Sequence, residues 1–214
     1  VREVHHVATL IGYGASAIGE YWVAQGSGSQ ANGNGAVALG AMSSAANDSV
    51  SIGAGSSAGD FATATGTLAV ASGWASSAFG DGASATNDFS LALGAKSSSS
   101  AVGGIAIGTE TFVDANAYQG IAIGSLVFAN GKQSIAMGAM WTTAGADSSI
   151  AIGGTKACTG FMCIEENTAA WGINSVALGA GSQAQADGAT ALGSGTGAFG
   201  IDSIAVGVGA EVFN

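Results

Sequence analysis

The sequence predicts an all-β chain wound as a parallel β-solenoid, with about 14 residues in each coil. Three observations predict it. A four-residue word, apolar-Ala-apolar-Gly, returns along most of the chain. Glycines recur at steps of seven: Gly12, Gly19, Gly26, Gly33 and Gly40, then Gly66, Gly73 and Gly80, then Gly193, Gly200 and Gly207. The 214 residues include 37 Gly and no Pro. Such a composition signals disorder when no period underlies it, so the period decides the class.

The word ends at Gly40 (Val37-Ala38-Leu39), Gly53 (Val50-Ser51-Ile52), Gly94 (Leu91-Ala92-Leu93) and Gly108 (Ile105-Ala106-Ile107). It returns at Gly124 (Ile121-Ala122-Ile123), Gly138 (Ile135-Ala136-Met137) and Gly153 (Ile150-Ala151-Ile152). The last three are Gly179 (Val176-Ala177-Leu178), Gly193 (Thr190-Ala191-Leu192) and Gly207 (Ile204-Ala205-Val206). Neighbouring words stand mostly 13 to 16 residues apart. Half of such a unit is too short for a helix and a turn, and fits a short strand and a tight turn. On a strand, the first and third residues of the word share one face and the Ala between them takes the other. The final Gly permits the positive φ of a turn.

An Asn or Asp falls five or six residues before many of these glycines: Asn34, Asn47, Asp60, Asp88, Asp147, Asn174, Asp187 and Asp202. They are expected to bond to their own backbone and shape the turn. The lack of Pro fits strands that donate hydrogen bonds to a neighbouring coil.

A coil this small has a thin interior that Ala, Ser and Gly fill. The aliphatic face then needs another cover, because an exposed apolar stripe that grows with every coil exceeds what a soluble monomer presents. An obligate homo-oligomer follows, with the aliphatics at its symmetry axis. The reverse arrangement, large residues inside each coil, is the alternative. The interface expected is Val37, Leu39, Leu91, Leu93, Ile105, Ile107, Ile121, Ile123, Ile135, Met137, Ile150, Ile152, Val176, Leu178, Ile204 and Val206.

Charge excludes several functions. Four Lys and Arg against 14 Asp and Glu give a formal charge of −10, too few cations to track a phosphate backbone, so no nucleic-acid partner is expected. No run of apolar residues is long enough to span a membrane. Val1-Arg2-Glu3-Val4-His5-His6 does not read as a secretory leader, and the chain is expected to be a segment of something longer.

The words Asn174-Ser175-Val176-Ala177-Leu178-Gly179 and Gln133-Ser134-Ile135-Ala136-Met137-Gly138, repeated in register, resemble the head repeats of YadA-like trimeric autotransporter adhesins. The resemblance runs over roughly residues 9–209. It implies a homotrimer of left-handed parallel β-rolls at a bacterial cell surface, tied to the outer membrane only through an anchor outside this segment. It implies adhesion, to extracellular matrix proteins such as collagen, fibronectin or laminin, to host cells, or to solid surfaces. Neither a heptad stalk nor an anchor is read here, so residues 1–214 are expected to be one head domain.

One segment breaks the period. Gly153 and Gly179 stand 26 apart, which places an insertion at about 154–173. It holds both cysteines, Cys158 and Cys163, which in a secreted chain are expected to form a local disulfide. Closing so small a loop contributes about 2 kcal/mol in the chain-entropy view. Lys156, Phe161, Met162, Glu165 and Glu166 make this loop a candidate for ligand contact; packing against a neighbouring chain is the plainer role.

No catalytic residue, cofactor or metal site is expected. His5 and His6 are adjacent and point to opposite faces of a strand, and the acids do not recur in every coil as a calcium solenoid requires. Trp22, Trp74 and Trp141 fall near turns or insertions. An acyltransferase built as a left-handed β-helix is the competing enzyme reading, but it steps by six residues and this chain by seven. An ice-binding solenoid needs one Thr per coil, whereas Thr63, Thr65, Thr67, Thr142 and Thr143 are local. A spacer or self-association module is the third alternative.

Overall fold

The computed structural model describes residues 16–17, 21–155 and 167–213. All described regular structure is β-strand, and the chain divides into two compact units, Val1–Ser98 and Ser99–Asn214.

In the first unit each coil has a longer strand, a turn, a two-residue strand and a second turn. The longer strands are Val23–Gln25, Val37–Leu39, Val50–Ile52, Thr63–Thr65, Ser77–Phe79 and Leu91–Leu93. They pair in parallel, each with its equivalent one coil on, so that Ala24, Ala38, Ser51, Ala64, Ala78 and Ala92 stand in one row. The short strands Gln30–Ala31, Ser44–Ala45, Ser57–Ala58, Val70–Ala71 and Ser84–Ala85 form a second parallel stack.

The second unit repeats this plan with Ile105–Thr109, Ile121–Ala129, Ile135–Ala144, Ile150–Gly153, Val176–Leu178, Thr190–Leu192 and Ile204–Val206. Ile121–Ala129 and Ile135–Ala144 run through the first turn and serve both stacks. Their register shifts between Ser125 and Val127, where the second strand holds one extra residue. Such a bulge bends the strand, and Met140 and Trp141 take positive φ there.

Four places per coil point inward: the residue before each strand, the middle of the longer one and the end of the shorter. In one coil they are Ala36, Ala38, Ser43 and Ala45; in the next, Ser49, Ser51, Ser56 and Ala58, all buried. Many of the buried Ser hydroxyls donate to the carbonyl three residues back, at the start of their own turn, whereas those of Ser99, Ser134 and Ser175 find no partner. Ser43 Oγ donates to Gly40 O at 2.9 Å, Ser49 Oγ to Ala46 O at 2.9 Å, and Ser182 Oγ to Gly179 O at 2.9 Å. Where that bond forms, the hydroxyl is satisfied with no second side chain; Ser51 instead pairs with Ser56 Oγ at 2.7 Å.

Among the described residues, the largest fully buried side chains are Val113 and Val127. Glycine makes room for both. A Cβ on Gly104 or Gly120 would lie 3.0 and 3.2 Å from Val113 Cγ1, and one on Gly124 would lie 3.0 Å from Val127 Cγ2. Interior volume is thus conserved across facing positions, as close packing demands.

The final Gly of the word has two duties. Gly124 has φ +138°, and a Cβ there would stand 1.7 Å from the Gly138 carbonyl oxygen of the next coil. Left-handed backbone and close approach of a stacked neighbour both exclude a side chain.

Candidate interaction surfaces

The Ala of each word faces in, so its apolar neighbours face out. Val37 and Leu39 flank buried Ala38, and Ile121 and Ile123 flank buried Ala122, each only half-covered by its own column. All sixteen aliphatic residues expected at an interface occupy these outward places. Ile52, Leu93 and Ile152 remain 38%, 43% and 40% exposed.

The parallel register turns these residues into columns. In the second unit Ile105, Ile121, Ile135, Ile150 and Val176 stand in line, as do Ile107, Ile123, Met137, Ile152 and Leu178. The first unit is less uniform: Thr63, Thr65 and Ser77 interrupt Val37, Val50 and Leu91 or Leu39, Ile52 and Leu93. Val50, Ile52, Phe79 and Leu192 belong to the same columns. The interface expected from the sequence omits them, although counting 13 or 14 residues from a neighbour finds each. Among the described residues, no charged residue stands in either column of either unit. The outward places on the short strands are mostly Gln, Ser and Thr, such as Gln30, Ser44, Ser57, Ser84 and Gln183.

The Asn and Asp residues correct the sequence expectation. Several of them bond not to their own turn but to the backbone of the preceding coil. Asp88 Oδ1 accepts Trp74 N–H at 2.9 Å, Asp147 Oδ1 accepts Lys132 N–H at 2.8 Å, and Asp187 Oδ1 accepts Ile173 N–H at 2.8 Å. Asn47 Oδ1 accepts Asn34 N–H at 3.3 Å, and Asp60 Oδ1 accepts Asn47 N–H at 3.1 Å. The reason is the stacking itself: in these turns one N–H stands outside the coil-to-coil backbone bonds, and the next coil's side chain accepts it. Asn174 and Asp202 do adopt positive φ, as turn residues should.

Two ladders of rings break the small-residue surface. Phe61, Trp74 and Phe89 occupy turns of the first unit, with centroids 5.5 and 5.0 Å apart. Phe112, Phe128 and Trp141 stack on the second, each pair at 5.4 Å. Trp22 is half-buried against the first unit's alanines.

The insertion's candidate residues, Lys156, Cys158, Phe161, Met162, Cys163, Glu165 and Glu166, lie outside the described residues, as do His5 and His6. Its flanks are fixed. The buried Thr168 hydroxyl stands 2.8 Å from Gly154 O and 2.7 Å from Gly179 O, and accepts the N–H groups of Gly154 and Gly181 at 3.0 and 3.2 Å. Thr155 Oγ1 donates to Met140 O at 2.8 Å. The register resumes at once: Thr143 pairs with Ala169, and Ile150 with Val176.

The YadA head domain repeat matches the chain at residues 23–41, 64–86, 85–111 and 170–196. No curated protein matches it. The matched segments hold the words ending at Gly40, Gly94, Gly108, Gly179 and Gly193, and 64–86 carries buried alanines and glycine turns of the same coil plan. The chain carries YadA head domain repeats, those of the head of YadA-like trimeric autotransporter adhesins.

Proposed function

We propose that this chain is the adhesive head of a trimeric autotransporter, displayed on a bacterial cell surface and held there by parts outside this segment. Residues 1–214 act as one head domain. Three copies, each a left-handed roll, place their aliphatic columns against a common axis. Val37, Leu39, Leu91, Leu93, Ile105, Ile107, Ile121, Ile123, Ile135, Met137, Ile150, Ile152, Val176, Leu178, Ile204 and Val206 form that contact.

One observation carries this reading. The coils fill their interiors mostly with Ala and Ser, yet present uncharged columns rich in Ile, Leu and Val outward. Water is a poor cover for such columns, and burial contributes about 25 cal/mol per Å² of apolar area. Identical copies supply an identical, matching cover.

The head binds extracellular matrix proteins such as collagen, fibronectin or laminin, or a solid surface. Three chains present each contact three times, so weak contacts sum. The insertion, closed by a Cys158–Cys163 disulfide, adds Lys156, Phe161, Met162, Glu165 and Glu166 as a contact loop. YadA head repeats are adhesin modules rather than enzymes, and no catalytic role is assigned.

Light scattering of the purified chain tests the assembly, and a panel of immobilised matrix proteins tests the function. A mass of three chains with binding to at least one panel member is expected. A stable monomer at nanomolar concentration sinks the trimer. A trimer that binds nothing makes the chain a spacer.

A further inference from the structure

The turns that lead into the longer strands of the first unit carry a strip of side chains that the apolar columns do not use. Phe61, Trp74 and Phe89 occupy this turn in three successive coils. Trp74 meets Phe61 at 59° and Phe89 at 79° between ring planes. The first pair is tilted and the second edge-on, so neither is stacked face to face as the rings of the second unit are. All three rings stay open to solvent, at 52%, 47% and 59% exposure.

The same column of turns carries Asp48, Asp60 and Asp88. Asp88 Oδ1 accepts the Trp74 backbone N–H at 2.9 Å, which sets that carboxylate at the root of the indole. Asp60 Oδ1 accepts both the backbone and side-chain amides of Asn47 at 3.1 Å, and its neighbour Phe61 packs on Trp74. No Lys or Arg occurs between Arg2 and Lys96. The strip therefore joins solvent-exposed rings to carboxylates with no cation of its own among them.

We propose that this strip binds a cationic segment of a partner protein, an extended peptide bearing Arg or Lys side chains. A guanidinium or ammonium group gains from a ring face, Trp most of all, and from a carboxylate beside it. The charge deficit fixes the sign of the partner, and the rings favour a segment over diffuse counter-ions. The inference gives one ligand chemistry to the adhesin reading and rests on that reading for its setting.

The test titrates the whole chain against a fluorescein-labelled (Arg-Ser)4 peptide, read by anisotropy. The same peptide with citrulline for Arg is the control. Saturable binding of the Arg peptide that weakens with salt is expected, with Trp74→Ala weaker by about 3- to 30-fold. The double variant Asp60→Asn/Asp88→Asn is also expected to bind more weakly. Asn keeps the Oδ1 acceptor, the part Asn47 already plays toward Asn34 N–H, so this variant removes charge and leaves the turns in place. Equal binding of the citrulline peptide overturns the proposal. So does unchanged affinity in Trp74→Ala, displacement by a neutral oligosaccharide, or a changed oligomeric mass in that variant, which assigns the rings to a neighbouring copy. The matrix panel is run on the same preparation. A head that binds matrix but not the Arg peptide fails this inference alone.

Discussion

A single methyl group on Gly124 would lie 1.7 Å from the Gly138 carbonyl oxygen, on a backbone at φ +138°. Gly209 is different: its φ is +65°, and nothing lies within 4 Å of an added Cβ. Gly124→Ala is therefore expected to lose about 3 kcal/mol or more, adding overpacking to backbone strain. Gly209→Ala should lose only about 1–2 kcal/mol, the left-handed cost alone. Thermal unfolding of the two variants checks the ordering. The carboxylates give a second residue-scale contrast. Asp187→Ala strips the Ile173 N–H of its acceptor and should cost about 1 kcal/mol, while Asp187→Asn keeps the oxygen and should cost little. Equal losses in the two would mean that the Asp187 charge, rather than the oxygen, matters there. The recurrence of these acids was readable in the sequence. Their partners were not, because a donor 14 residues away becomes a neighbour only when coils stack.

Each longer strand of the first unit has an inner face of Ala or Ser and an outer face that carries Val, Leu, Ile, Phe, Thr, Ser or Gln. Ala64 is fully buried, in line with Ser51 and Ala78, whereas Thr63 and Thr65 face out in the columns of Val50 and Ile52. Ala64→Leu is expected to destabilise by about 1–3 kcal/mol or to unfold the coil, since the layer has no glycine opposite to yield space. Thr65→Ile should keep the fold and extend the apolar column. Circular dichroism melts of both variants separate the faces; a tolerated Ala64→Leu would contradict the tight interior. The alternation that assigns these faces was legible at once, as period two on either side of Ala. The bulge at Met140 and Trp141 was not, since one extra residue in a 15-residue spacing leaves no local mark. Deleting Lys156–Asn167 is expected to leave the coils folded. The bonds that pin Thr168 to Gly154, Gly179 and Gly181 lie outside the deletion. A collapse of the melting transition in that variant would give the insertion a structural role.

For the whole molecule, the question is what covers the outward columns. Ile121 and Ile135 are register partners in the second unit, each half-covered within its own chain. Ile121→Asp with Ile135→Asp should leave the single chain's interior untouched and break the assembly, because charges entering an apolar seam stay unpaired. Light scattering should then read one chain instead of three, and matrix binding should fall by 10²-fold or more as avidity is lost, on the order expected for linked weak contacts. An unchanged mass would move the seam to another face.

The sequence by itself determined the period, the β class, the inward Ala and the outward aliphatics. Each of these follows from spacing along one strand and from the size of a side chain. Only the tertiary structure decided what lies one coil away. It made glycines obligatory by bringing carbonyls against them, turned scattered acids into caps for another coil's backbone, and let glycine yield room to Val113 and Val127. It also gathered Phe61, Trp74 and Phe89, 13 to 15 residues apart, into one exposed strip. Contacts between stacked coils are long-range in the chain, and their geometry exists only once the coil has closed.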